Sequence, residues 1–206
     1  MRLTPKTRIE AVRHLKRADD KLKNVIRRVG KFTLRPERNR YAMLVKSILS
    51  QQISTSAAKS IRLKLLALVD QKLEPERIGK LRDEQLRSAG ISPQKLRYLR
   101  DLTDRVTSSE LRLTQMGRYS DEDVIQQLTT VKGIGRWTAQ MFLIFSLGRL
   151  DILPHDDLGI QNAIRKLYDL SDRPDRVTME RIAEPWRPFA SVASWYCWRS
   201  LEDEDW

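Results

Sequence analysis

The stretch from Ser120 to Ile160, SDEDVIQQLTTVKGIGRWTAQMFLIFSLGRLDILPHDDLGI, constrains the fold most, because two helical patterns meet there across a four-residue turn. Ser120 and Asp123 form a capping-box-like start, and Val124, Ile125, Leu128 and Val131 follow at helical spacing. The turn is Lys132-Gly133-Ile134-Gly135, and its two glycines can take backbone angles closed to other residues. The second helix begins near Arg136 and is apolar through Trp137, Met141, Phe142, Ile144, Phe145 and Leu147, with Gly148 as its stop. A helix, glycine hairpin and second helix direct backbone N–H groups outward, where they can bind a phosphate without reading a base. Lys132, Gly133, Gly135, Arg136 and Thr138 are therefore candidate phosphate-binding positions. A short loop then leads to Pro154, His155, Asp156 and Asp157, with a further helix expected from about Leu158.

A net charge of +12 on 206 residues favours a polyanionic partner. The excess is uneven, since residues 1–40 hold 14 Lys/Arg against 4 Asp/Glu. Alone this reads as a solvated basic helix; beside a hairpin able to hold phosphate it reads as an electrostatic contribution to DNA binding. Hydrophobic content of 40% with 32% charged residues indicates a soluble globular protein with room for a real core. No apolar signal region opens the chain and no apolar run reaches membrane-spanning length. The expected location is intracellular, in cytoplasm or nucleoid, or in the nucleus of a eukaryote, with no membrane partner. A single cysteine, Cys197, excludes an intramolecular disulfide, a multi-cysteine metal site and a four-cysteine iron–sulfur cluster.

Along the chain, Thr4-Pro5 starts a helix that Asp19-Asp20 interrupts and Gly30 ends. The next helix, from about Asn39, places Tyr41, Leu44, Val45, Ile48 and Leu49 on a core face and runs into Ser50-Gln51-Gln52-Ile53-Ser54. Ser56–Val69 follows, with Ala57, Ile61, Leu65 and Leu68 expected inside. Pro75 is expected to interrupt the chain before a shorter segment from Ile78 to Leu86; helix resumes from Gln94 to Val106, and Ser108–Tyr119 reads as loop. Gln161–Tyr168 and Val177–Glu184 are helical, and Pro185-Trp186-Arg187-Pro188 opens the last helix, with Trp186 and Trp195 expected in the core. The acidic tail, Leu201 to Trp206, is expected to fray. Strand patterns are nearly absent, so the fold class is all-α.

The hairpin, Pro154 and the aspartates that follow resemble the helix–hairpin–helix (HhH-GPD) DNA glycosylase superfamily, and within it the alkylpurine type of DNA-3-methyladenine glycosylase II. SQQIS at 50–54, LRSAGISPQKLRYL and the terminal WRPFASVASWYCW carry the same resemblance, which covers Asn39 to Arg199. It implies one glycosylase unit over 1–206, of two packed helical subdomains: 1–40 plus 160–206, and 41–159 with the hairpin at 121–148. The chain resembles the compact form, without the amino-terminal β-domain of longer bacterial enzymes. Met141 departs from the pattern, because the longer enzyme has an aromatic there.

The resemblance implies base excision: hydrolysis of the N-glycosidic bond of 3-methyladenine and of 7-methylguanine or 3-methylguanine in double-stranded DNA, by a monomer. The target base is flipped out, and a fixed carboxylate stabilises an oxocarbenium-like sugar. That carboxylate falls on Asp157, twenty residues after Trp137, with Asp156 as alternative and Asp151 third. An aspartate opening a helix is otherwise just an N-cap. Trp137 and Trp198 are the implied aromatic walls for a cationic base. Gln52 is the implied duplex plug and Ser54 its minor-groove neighbour, where the QQ pair alone would read as a polar helix end. Lys95 is either a contact to the DNA backbone or part of a plain helical connection, and His155, a lone loop histidine, reads as solvated or as a local hydrogen-bond partner. Trp137 replaces the lysine of bifunctional relatives, which implies a monofunctional enzyme that leaves an abasic site. No cofactor is required; Na+ or K+ is implied at the carbonyls of Thr130, Lys132 or Val131, and Ile134. The alternatives are a helix–hairpin–helix module that binds DNA or damage without turnover, and an oxidised-base glycosylase/lyase disfavoured by Trp137.

Overall fold

Short-range capping sets most of the helix boundaries. Thr4 and Thr7 cap each other's backbone N–H (3.1 and 2.8 Å) with Pro5 in the first turn, so a helix starts there. Asp19 ends that helix and starts the next, its carboxylate accepting from Leu22 N–H (2.9 Å), and Gly30 (φ +82°) closes it. The computed structural model describes residues 2–202; of the acidic tail, Asp203 to Trp206 lie outside the described residues. In chain order the α-helices are α1 (Pro5–Ala18), α2 (Asp20–Val29), α3 (Arg40–Ser50), α4 (Thr55–Leu68), α5 (Pro75–Lys80) and α6 (Asp83–Ser88). They continue as α7 (Pro93–Thr107), α8 (Asp121–Thr129), α9 (Arg136–Phe145), α10 (Leu158–Leu167), α11 (Arg176–Ala183) and α12 (Ala190–Ser200). Among the described residues the one β pairing is an isolated bridge between Arg2 and Arg149, so the fold is all-α as expected. No helix there is long and apolar enough to cross a membrane.

Three local expectations change. Pro75 does not interrupt a segment but occupies the first turn of α5, and extended backbone at Leu81 and Arg82 divides α5 from α6. Ser108–Tyr119 is not all loop: Leu113–Arg118 forms a 3-10 turn that buries Leu113 and Met116. On α4, of Ala57, Ile61, Leu65 and Leu68 only Leu65 is buried, because α4 packs on α3 and leaves Leu63 and much of its surface to solvent.

By compactness the chain divides into two units, residues 1–36 with 143–206 (the terminal unit) and residues 37–142 (the central unit). The later boundary falls inside α9 rather than near 160, because the chain after it already pairs with the amino-terminal segment: Leu3 N–H donates to the Gly148 carbonyl (2.9 Å). In the terminal unit α12 packs against α1, α2 and α10. Leu15, Ile26, Ile164, Trp186, Trp195 and Tyr196 share one buried cluster, so Trp186 and Trp195 are core residues. In the central unit α7 packs against α3, α5 and α6. There α3 is buried almost all round, at Ala42 and Met43 as well as the expected face.

Asp19 carries more than a cap. Its Oδ2 accepts from Trp186 Nε1 (2.8 Å) and from the Tyr168 hydroxyl, two donors 167 and 149 residues away in sequence. Asp19→Ala should therefore remove a helix cap and strand a buried indole N–H, lowering stability by about 2–4 kcal/mol in urea unfolding.

Candidate nucleic-acid and catalytic site

In the central unit one face of α7 builds the hairpin. Lys95, Tyr98 and Asp101 recur every three residues and so share that face. Lys95, 9% exposed, donates from Nζ to the Leu49 carbonyl (2.7 Å) at the end of α3, and burial pushes its ammonium pKa down. It closes a helix end instead of reaching outward to DNA. Tyr98 lies against Gly133, where an added Cβ would meet the tyrosine ring at 2.1 Å. Asp101 accepts from Lys132 N–H (2.9 Å) and pairs with Arg105 (3.1 Å). From the other side Gln51 Nε2 donates to the Gly133 carbonyl (2.8 Å). Gly133 itself has φ +80°, a conformation that favours glycine.

These contacts sort the candidate phosphate positions. Lys132 has an exposed side chain, but its N–H is taken by Asp101, and Ile134 N–H is taken by the Val131 carbonyl (3.1 Å). Arg136 holds Glu122 through two bonds (3.0 and 2.8 Å), which lowers the Glu122 pKa, so its guanidinium is committed to the first turn of α8. The first helical bond of α9 runs from Ala139 N–H to the Gly135 carbonyl (3.0 Å). The amides of Arg136, Trp137 and Thr138 precede it, at the positive end of the helix.

The hairpin and the SQQIS element meet at a cleft of about 460 Å³, lined by Gln51, Gln52, Gly133, Gly135, Trp137 and Thr138. Trp137 is 41% exposed, an aromatic presented and not packed away. Gln52 is exposed with φ +56°, a left-handed conformation that costs a non-glycine residue on the order of 1 kcal/mol. Ser54 caps α4, accepting from Ala57 N–H (3.3 Å), and its hydroxyl lies 3.0 Å from that of Ser56.

In the terminal unit the three aspartates separate. Asp157 is 8% exposed and caps α10: its Oδ1 accepts from Ile160 N–H (2.8 Å) and from Trp198 Nε1 (2.9 Å). Gly159 makes room for that bond, since a Cβ there would lie 3.0 Å from Asp157 Oδ1 and 3.1 Å from Trp198 Cδ1. The Trp198 ring also packs on Phe145, centroids 5.4 Å apart. Asp156 is exposed in the turn, and Asp151 is held by Arg187 (3.1 Å) and by Ala190 N–H (3.3 Å). The loop is braced from outside: His155 Nε2 bonds Glu180 (2.7 Å), and Gln161 Nε2 donates to the His155 carbonyl (2.7 Å). Burial works against ionisation of Glu180, but Arg187 (2.7 Å) and His155 outweigh it and lower its pKa.

Gln51, Tyr98, Asp101 and Gly159 hold the site together without standing out in the sequence. The first three are polar side chains whose spacing places them without naming a partner. Gly159 could have been suspected, because a glycine within a helix costs about 1 kcal/mol against alanine and calls for a reason.

A family model described as "HhH-GPD superfamily base excision DNA repair protein" matches residues 45–188. The chain belongs to this superfamily. It is 34% identical over 200 residues to DNA-3-methyladenine glycosylase 1 of Schizosaccharomyces pombe, covering 93% of this chain and 87% of that protein. It is 30% identical over 195 residues to the alkylbase DNA glycosidase-like protein mag2 of the same organism, covering 92% of each. Among solved structures, the S. pombe 3-methyladenine DNA glycosylase Mag1 in complex with abasic DNA superposes with a TM-score of 0.84 at 33% identity, over 96% of this chain and 98% of that one. The helices, hairpin and aspartate loop described above are thus the framework of a base excision repair protein.

Gly133→Ala should destabilise the hairpin by more than about 2 kcal/mol in thermal unfolding, through both positive φ and the clash with Tyr98. Adding Tyr98→Ala should recover part of the loss, the part due to the clash.

Proposed function

We propose that this member of the superfamily is a monofunctional DNA glycosylase that excises alkylated purines, 3-methyladenine foremost with 7-methylguanine or 3-methylguanine, from double-stranded DNA. The observation that carries the reading is the buried Asp157 carboxylate, oriented by the first turn of α10 and by the Trp198 indole N–H. A carboxylate fixed in this way supplies charge where the sugar becomes cationic. In the reaction the C1′–N bond breaks with its electron pair leaving on the base, and a water oxygen bonds to C1′. Asp157 stabilises the developing cation and receives the water proton. A methylated purine carries positive charge and leaves readily, and aromatic faces such as those of Trp137 and Trp198 suit a cationic ring.

On the DNA side, Gln52 is the candidate plug, Ser54 its neighbour, and the amides of Gly133, Gly135, Arg136 and Thr138 receive a phosphate of a duplex bound by one monomer. The hairpin carbonyls of Thr130, Lys132 and Ile134 are neutral oxygen donors, a chemistry that suits Na+ or K+; the Val131 carbonyl is already used by Ile134 N–H. Bound there, the ion would add positive charge toward the phosphate. Trp137 offers no amine to attack C1′, and Lys132 lies within the hairpin itself, where it serves as a phosphate contact.

Base release from methylated duplex DNA tests the reading. Asp157→Asn should lose release at least about 100-fold while still binding DNA, and Asp156→Asn should retain it. Trp198→Phe, which keeps a ring and drops the N–H, should lose about ten- to a hundredfold in kcat, the worth of one hydrogen bond to a charged group. Equal release by wild type and Asp157→Asn would remove the carboxylate from its role. Binding without release of any lesion would leave a non-catalytic module. Borohydride should trap no covalent adduct.

A further inference from the structure

A cavity of about 860 Å³ opens in the terminal unit among α1, α2 and α12, and the excision chemistry makes no use of it. Its walls include Ile9, Val12, Ile26 and Phe32. Ile9 is 64% exposed and stands beside the other apolar side chains of this wall. Tyr196 also lines it, with its hydroxyl already spent on the Gly30 carbonyl (2.9 Å). The charged lining residues are Arg8, Arg13, Lys16, Arg27 and Lys31, and no acidic residue joins them. Arg8 is built into the wall: its guanidinium sits 5.6 Å from the Phe32 ring centroid and donates to the Leu34 carbonyl. On α1 the spacing of Ile9, Val12, Arg13 and Lys16 makes this one continuous stripe, apolar with a cationic edge.

The basic excess of the first forty residues is therefore partly arranged around an apolar floor. Duplex DNA would satisfy the cations through its phosphates but has nothing to place on Ile9 and Val12. A peptide with carboxylates beside bulky apolar side chains satisfies both at once: the apolar groups leave water while the charges steer and orient the encounter. We propose that this groove docks an acidic peptide segment of a partner protein, its apolar side chains on Ile9 and Val12 and its carboxylates against Arg13, Lys16, Arg27 and Lys31.

The test uses the full chain and a fluorescein-labelled synthetic dodecapeptide in which Leu and Trp recur every three or four positions among Asp and Glu, read by anisotropy. Saturable binding is expected, weakened at least about tenfold by Ile9→Glu, by Lys16→Glu, and by replacing the peptide's Leu and Trp with Ser. Ile9→Glu should keep the thermal midpoint and base release of the wild type, which separates this result from failure of the proposed excision activity. The proposal is overturned by no binding, by equal binding of the Ser-substituted peptide, or by indifference to Ile9→Glu. It is also overturned if Ile9→Glu weakens duplex DNA or anionic phospholipid vesicles as much as the peptide, since the groove would then serve those surfaces.

Discussion

The central unit depends on the absence of a side chain at Gly133. Tyr98 occupies the space a Cβ would need, the positive φ turns the chain back on itself, and the freed carbonyl receives Gln51. One glycine thereby ties together α7, the end of α3 and the start of α9. The cleft follows from that convergence, because Gln52 and Trp137 reach it only when their flanking segments are drawn to the same turn. Lys95 and Asp101 complete the arrangement by occupying the Leu49 carbonyl and the Lys132 amide, groups that would otherwise be left at a helix end and a tight turn.

The terminal unit solves a different problem, the orientation of a buried carboxylate. Asp157 is held along the chain by Ile160 N–H and across the fold by Trp198, and Gly159 leaves the space for the second bond. Around it Asp151, Arg187 and Glu180 form ion pairs, and His155 hydrogen-bonds Glu180, which together pin the loop. Asp19 does similar work at the other end of the unit, where capping α2 and binding Trp186 are functions of one side chain. In both places a cap residue is also a tertiary contact, so capping and a further role coexist.

Much of this was legible in the sequence where the information was local. The Thr4-Pro5, Ser120 and Asp157 helix starts, the break at Asp19, the stop at Gly30 and the glycine hairpin each depend on residues within a turn of one another. The buried face of α4 is narrower than its apolar period, because periodicity reports which side is apolar and not how much of it a neighbour covers. Pro75 opens α5 where its sequence alone also allows a break, because proline both ends one segment and opens the next.

What the sequence by itself determined is the all-α class, the hairpin, the aspartate loop and the resemblance they carry. Capping, glycine conformations and the 3.6-residue period act over a few residues and can be read without a fold. Only the tertiary structure decided that Gln51 serves Gly133 across 82 positions and that Trp198 orients Asp157 across 41. It also decided that Asp156 faces solvent while Asp151 is paired. A polar side chain states what it can donate or accept; which partner it meets depends on how distant helices pack, and no local pattern encodes that.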